Sequence, residues 1–167
     1  MSLPLKIKTA NCFKDKRGFL WTSWKKGSYS KINFNHDKFS ISKKNTIRGF
    51  HCDFKSWKLV TSVYGKIFLA VVDMRKNSKT YLKSRTVTLD HAKPKFILIP
   101  PYYANAHLCI SKECVFHYKW FYKGKYIEAK KQFSYRWNDP KINIKWPTKK
   151  PILSKRDQNS NFLSKKL

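Results

Sequence analysis

The run from Asn45 to Arg75, NTIRGFHCDFKSWKLVTSVYGKIFLAVVDMR, limits the possible folds more than any other stretch of the chain. It holds two segments rich in β-branched and apolar residues, Leu59–Tyr64 and Ile67–Asp73, separated by Gly65-Lys66. Short runs of this make-up read as strands, and a glycine able to take positive φ between them reads as a hairpin turn. His51 follows Arg48-Gly49, and Lys58 stands seven residues further on, where the first strand opens. A candidate base and two cations thus share one β unit, and strands hold reacting groups more rigidly than loops do. An ordinary hairpin with a satisfied loop histidine fits this stretch equally well.

The rest of the chain repeats the theme of short strands between turn residues. Leu5–Thr9 reads as a strand, and a charged turn over Phe13–Phe19 leads into a second at Leu20–Trp24. Residues 28–44 are polar and basic, an edge segment or interface loop with Ile32 and Phe34 as contacts. Thr80–Leu89, Phe96–Ile99, Ala106–Ser111, Cys114–Tyr122, Phe133–Trp137 and Ile142–Trp146 read as further strands, with a turn at Gly124. No segment keeps a helical period over three turns. Aromatic residues make up 16% of the chain and favour strands. The expected fold is all-β, a double-sheet jelly roll or barrel with few short helices. One domain over residues 1–148 is followed by a basic tail, 149–167, whose last ten residues are expected to fray.

A formal net charge of +28 raises the possibility of a nucleic-acid partner. Three observations weigh against it. The cations are spread evenly along the chain, only Arg17, Arg48, Arg75, Arg85, Arg136 and Arg156 are arginines, and no nucleic-acid-binding motif is present. A solvated lysine surface is the better reading, with attraction of anionic small molecules such as nucleotide sugars as the weaker functional one. No run of about 18 apolar residues exists to span a membrane, and the first residues lack the apolar core of a signal peptide. A cytoplasmic protein is expected. Cys12, Cys52, Cys109 and Cys114 form no zinc-binding spacing, so they are expected to be reduced thiols.

Motifs occur in one order along nearly the whole chain. They are RGFH at 48–51, WKLV at 57–60, YGKIFLAVVDMR at 64–75, IPP at 99–101, Tyr118-Lys119, WNDP at 137–140, IKWP at 144–147 and LSKRD at 153–157. Each is weak alone, but together they resemble the dTDP-4-dehydrorhamnose 3,5-epimerase family. The resemblance implies a cupin-type jelly roll that needs no metal or other cofactor. It implies a homodimer with exchanged N-terminal strands, acting on a nucleoside-diphosphate 4-keto sugar.

The chemistry of such a substrate explains why these residue types are needed. A ketone at C4 acidifies the hydrogens on C3 and C5. Inversion requires a base on one face, an acid on the other, and a cation or donor at the developing enolate oxygen. By resemblance His51 is the base, since histidine ordinarily titrates near neutrality, at about 6.5. Asp157 is implied as the carboxylate that sets its tautomer. Tyr118 is implied as the acid and Lys58 as the cation at the carbonyl oxygen. Read without the family, Asp157 is a solvated tail charge, Tyr118 a core aromatic and Lys58 one lysine among many. Arg48 and Arg17 match nucleotide-binding positions, where a planar fork suits phosphate. Phe19 packs near the base or sugar in this reading, and Asp73 is a second-layer partner for Lys58 or a turn carboxylate.

Departures from the family pattern cluster where the sugar and nucleobase bind. The usual Gly-Phe-Ala-His-Gly run is Tyr102-Tyr103-Ala104-Asn105-Ala106, so Asn105 replaces a histidine and His107 lies two residues on, on the same face of a strand. Thr22 stands for a glutamate, and His36 and Lys38 for a glutamine and an asparagine. The loop between His51 and Lys58 is short, and Gly124-Lys125-Tyr126 replaces a tyrosine pair. These features resemble relatives acting on GDP-linked 4-keto heptoses for capsular polysaccharide, with dTDP-4-dehydro-6-deoxyglucose as the alternative substrate. Loss of the second histidine leans towards C3 inversion alone. A cupin 3,4-ketoisomerase, a non-catalytic sugar-nucleotide binder and a nucleic-acid binder are the competing readings.

Overall fold

Two antiparallel sheets face one another. The structure, a computed structural model, describes residues 3–29, 32–122 and 132–163. The expected turn at Gly124 and the altered segment around it lie outside the described residues, as do the last four residues of the tail. The strands are β1 (Lys6–Thr9), β2 (Cys12–Asp15), β3 (Gly18–Trp21), β4 (His36–Lys43), β5 (Ile47–Cys52), β6 (Ser56–Tyr64), β7 (Lys66–Asp73), β8 (Ser84–Asp90), β9 (Lys95–Ile99), β10 (Tyr103–Cys109), β11 (Glu113–Tyr122) and β12 (Phe133–Ser134). One sheet runs in the order β1-β9-β6-β11-β4 and the other β12-β5-β10-β7-β8. Strands β2 and β3 form a separate two-stranded hairpin. A single turn of helix, α1 (Lys155–Gln158), follows. Among the described residues no helix is long and apolar enough to cross a membrane, and the four cysteines are free thiols.

The expected hairpin at Gly65 is corrected. β6 pairs with β9 and β11, whereas β7 pairs with β8 and β10, so the chain crosses from one sheet to the other between them. Adjacency in sequence favours pairing, but both strands are buried on nearly all positions and each needs partners on both sides. Gly65 makes the crossing possible. Its φ is +69°, and a Cβ there would lie 2.1 Å from the Glu113 carbonyl oxygen.

Other boundaries move for similar reasons. Residues 36–43, read as a polar edge segment, are an edge strand, with outward Phe39 and Ile41 exposed. Residues 47–52 were not read as a strand, because Arg48, Gly49 and His51 break the apolar pattern; they form β5, between β12 and β10. Residues 12–21 form a hairpin where a charged turn was expected. Residues 80–83 belong to a turn closed on Asp73, so β8 starts later than expected. Ile142, Ile144 and Trp146 form no strand; they pack against Phe50, Ala70 and Ala106 on the outer face of the second sheet. The tail does not fray over 158–163. Ser160 donates to the Arg156 carbonyl, and the Leu163 N–H donates to the Asp139 carboxylate.

The space between the sheets is divided along the strands. At one end Val60, Leu69, Val71, Ile97, Cys109, Cys114 and Phe116 close into an apolar core. Truncating one such side chain to alanine typically costs about 2–5 kcal/mol. With the period-2 alternation of strands, the same inward-facing rows continue to Lys58 on β6, His107 and Asn105 on β10, and Tyr118 and Trp120 on β11. There the space opens into a cavity.

Candidate active site

The cavity measures about 310 Å³. Its walls carry His51, Lys58, Tyr118, Asp157, Arg48, Lys38, Asn105 and His107, eight of the side chains singled out in the sequence. His51 comes from the second sheet and Tyr118 from the first, so imidazole and phenol stand on opposite walls.

The motif LSKRD delivers the carboxylate. Ser154 caps the one-turn helix α1 by accepting a hydrogen bond from the Asp157 N–H at 3.1 Å, as N-cap serines do. That turn directs Asp157, only 3% exposed, at His51, and Asp157 Oδ1 lies 2.7 Å from His51 Nε2. A proton held on Nε2 by this contact leaves the Nδ1 lone pair as the basic atom. The RGFH motif is explained in the same place. The Gly49 N–H donates to Asp157 Oδ2 at 3.4 Å, and a Cβ on Gly49 would come 2.5 Å from the Asn105 carbonyl oxygen. Burial opposes ionisation of Asp157, but the hydrogen bonds from His51, Ser154 and Gly49 outweigh it and hold the carboxyl below its ordinary range.

Lys58 is buried and bonded. Its Nζ donates to Asn105 Oδ1 at 3.2 Å and lies 3.7 Å from Asp53 Oδ2. Burial lowers its pKa, and Asp53 acts in the opposite direction. The phenol of Tyr118 packs against Phe116 and Trp120, and burial raises its pKa, which keeps it a proton donor. Arg48 Nε donates to Ser42 Oγ and its Nη2 to the Ile41 carbonyl, so the guanidinium is braced at the cavity wall. The Lys38 ammonium sits 4.5 Å from the centre of the Trp120 ring. His107 stacks on Phe116 at 4.2 Å, and its Nε2 has no hydrogen-bond partner. Burial, with Arg48 and His51 nearby, pushes its imidazole down to about 3, so it stays a neutral imidazole at working pH.

Four expected residues stand elsewhere. Arg17, whose side chain is 85% exposed, pairs with Asp15 on the β2–β3 hairpin, and Phe19 is exposed on the same hairpin. Neither lines this chain's cavity. His36 contacts Asn35 beside Trp120 and does not line it either. Asp73 is corrected as a partner for Lys58. Its carboxylate is saturated by Arg75, Ser78 and Thr80 in the turn after β7. The partner of Lys58 is Asp53, which sequence reasoning missed although it stands two residues after His51. Arg156 was missed too. It lines the cavity and donates to Ser134 Oγ at 2.9 Å, and its position beside Asp157 was the available signal. Among the described residues no three His, Cys, Asp or Glu side chains converge as metal ligands would.

The family model for dTDP-4-dehydrorhamnose 3,5-epimerase matches residues 4–165. This chain belongs to the dTDP-4-dehydrorhamnose 3,5-epimerase family. It is 32% identical over 155 residues to the dTDP-4-dehydrorhamnose 3,5-epimerase of Shigella flexneri, covering 88% of this chain and 84% of that one. It is also 32% identical over 128 residues to a dTDP-4-dehydrorhamnose 3-epimerase of Streptomyces niveus, covering 75% and 60% of the two chains. The crystal structure of the Legionella pneumophila dTDP-6-deoxy-D-glucose-3,5-epimerase in complex with dTDP-4-keto-L-rhamnose superposes with a TM-score of 0.88 at 29% identity, over 95% of this chain and 87% of that one. Family membership makes the chain a nucleotide-sugar epimerase, and the jelly roll read from the sequence is the family's fold.

Proposed function

We propose that this epimerase inverts C3 of a dTDP-linked 4-keto-6-deoxy sugar through an enolate. The supporting observation is the His51–Asp157 pair on one wall of the cavity with Tyr118 on the other. His51 Nδ1 removes the proton from C3, and the electron pair of the C–H bond moves into the enolate. The Lys58 ammonium stabilises the developing oxygen charge from a buried position, where such donors are stronger than in water. Tyr118 returns a proton to the opposite face, and exchange with solvent resets both groups. Arg48, Lys38 and Arg156 supply positive charge for the diphosphate.

The names of the relatives support a dTDP-linked substrate better than the GDP-linked heptose read from the altered loops. The experiment offers dTDP-4-keto-6-deoxyglucose and GDP-4-keto-heptose separately in deuterated water. Deuterium at C3 of the dTDP sugar is expected, and the same spectra count C5. Exchange with the heptose alone would overturn the choice of substrate, and no exchange with either would overturn the epimerase reading.

A homodimer follows from the same reading. The β2–β3 hairpin pairs with neither sheet and exposes Phe13, Phe19 and Leu20. β1 stays in its own sheet, against β9, so this hairpin is the segment that carries Arg17 and Phe19 to a partner's cavity. Sedimentation at micromolar concentration checks the mass, and a monomer that is fully active contradicts the dimer.

A further inference from the structure

Asp53 occupies the three-residue crossing between β5, which carries His51, and β6, which carries Lys58. Its carboxylate is buried and bonded to that crossing. Oδ1 accepts from the Lys55 and Ser56 N–H groups at 3.0 and 2.7 Å, and Oδ2 accepts from Ser56 Oγ. The same Oδ2 lies 3.7 Å from Lys58 Nζ. One side chain therefore ties the strand of the base to the strand of the cation, and does so across the two sheets.

The surroundings of Lys58 make this contact decisive. The groups packed around the ammonium are Asn105 on β10, the Trp120 ring on β11 at 5.7 Å, the Cys52 thiol on β5, and Arg156 on α1. Asn105 is neutral. Burial pushes the Cys52 thiol up to about 12, so it carries no charge at working pH. Arg156 is itself a cation and opposes a second charge nearby. Among these groups Asp53 is the anion. A buried ammonium without one gives up its proton, because the low-polarity interior penalises the charged form. A neutral amine would leave an enolate oxygen without its counter-charge.

We propose that Asp53 is the positioning residue of the reaction: its turn-locked carboxylate keeps the Lys58 ammonium charged and aimed at the substrate carbonyl. The inference rests on the role given to Lys58 under the proposed function, so the test reads the lysine both with and without turnover. Asp53→Asn keeps the Oδ1 acceptor that closes the turn while removing the charge. Two profiles are measured, the pH dependence of kcat and KM, and the rate at which a small acylating reagent modifies Lys58 as pH rises.

In Asp53→Asn the alkaline fall in kcat should move to lower pH, with KM changing less, and Lys58 should be acylated at lower pH than in the wild type. Each unit by which the lysine's pKa falls below the assay pH removes about ten-fold of its charged form. Ser56→Ala frees Oδ2 for Lys58 and should leave both profiles in place or move them to higher pH. Asp53→Glu should recover part of the alkaline activity.

A folded Asp53→Asn with unchanged profiles, or one that loses activity through KM alone, overturns the proposal. So does a downward shift in Ser56→Ala, which also serves if Asp53→Asn does not fold. If acylation shifts as expected but the wild type turns over no 4-keto sugar, the electrostatic tie stands and the proposed function falls.

Discussion

Two histidine–aspartate pairs of nearly the same length sit in different parts of this molecule. His51 and Asp157 meet at 2.7 Å inside the cavity, and His117 and Asp37 meet at 2.8 Å on the outer face of the first sheet. Their surroundings differ in every respect that matters for proton transfer. In the inner pair the carboxylate is buried and the imidazole faces a cavity with a phenol on the far wall. In the outer pair the imidazole is buried, 8% exposed, under the Phe39 ring, while Asp37 is 48% exposed and shared with Lys119. The outer pair fastens edge strand β4 to β11. A histidine–carboxylate contact is thus not a catalytic sign in itself. What stands across from the ring decides.

The largest expected effect separates the two histidines. His51→Asn should cut turnover by roughly 10²–10⁴-fold, the usual worth of an acid–base group, with the circular dichroism spectrum unchanged. His117→Asn, measured in the same assay, should lose less than about ten-fold by the same scale. Equal losses would erase the distinction.

Tyr118→Phe should come next, with inversion reduced about 10²-fold or more. Because His51 remains, solvent deuterium should still enter the sugar, now with retention at C3. Nuclear magnetic resonance of recovered substrate checks this. Full inversion in the variant would remove Tyr118 from the mechanism.

The smallest expected effects compare the two carboxylates as contributors to stability. Burial opposes ionisation of both, but Asp157 is held below its ordinary pKa by His51 and Ser154, and Asp37 by Lys119 and His117. A depressed folded value contributes stability above the unfolded pKa, and that stability is lost as pH falls through the folded value. Asp157→Asn should cost about 1–3 kcal/mol at pH 7, as loss of a buried charged hydrogen bond does. Asp37→Asn should cost less than about 1 kcal/mol, since its charge is largely solvated. The urea midpoints of wild type and Asp157→Asn should stay apart from pH 7 down to the ordinary carboxylate pKa of about 3.9 and converge as pH falls below it. A gap that widens on acidification contradicts the assignment.

Legibility differed between parts of the chain. Strands with uninterrupted apolar character, such as Phe96–Ile99 and Ile67–Asp73, were readable because burial on both faces needs nothing else. β5 was not, because the groups that line the cavity, Arg48 and His51, are the ones that break a strand pattern. Of the side chains expected at the site, those on the two sheets gathered around the cavity except His36 and Asp73 at strand ends, and Asp157 reached it from α1. Arg17 and Phe19, on a hairpin outside both sheets, did not. Asp53 and Asp73 show the limit most clearly. Both are near Lys58 in sequence, and only the split of β6 and β7 between sheets tells which one reaches it.

By itself the sequence determined the all-β architecture and the family, because alternation of apolar residues and the order of motifs survive without knowing which strands pair. Tertiary structure alone decided which sheet each strand joins, and so which carboxylate meets which cation. The physical reason is that strand composition records how deeply a residue is buried, whereas its partner is set by where the chain crosses between sheets. A glycine at position 65 and a three-residue turn at Asp53 control those crossings; the sequence marks Gly65 as a turn but not as a passage between sheets, and it does not mark Asp53.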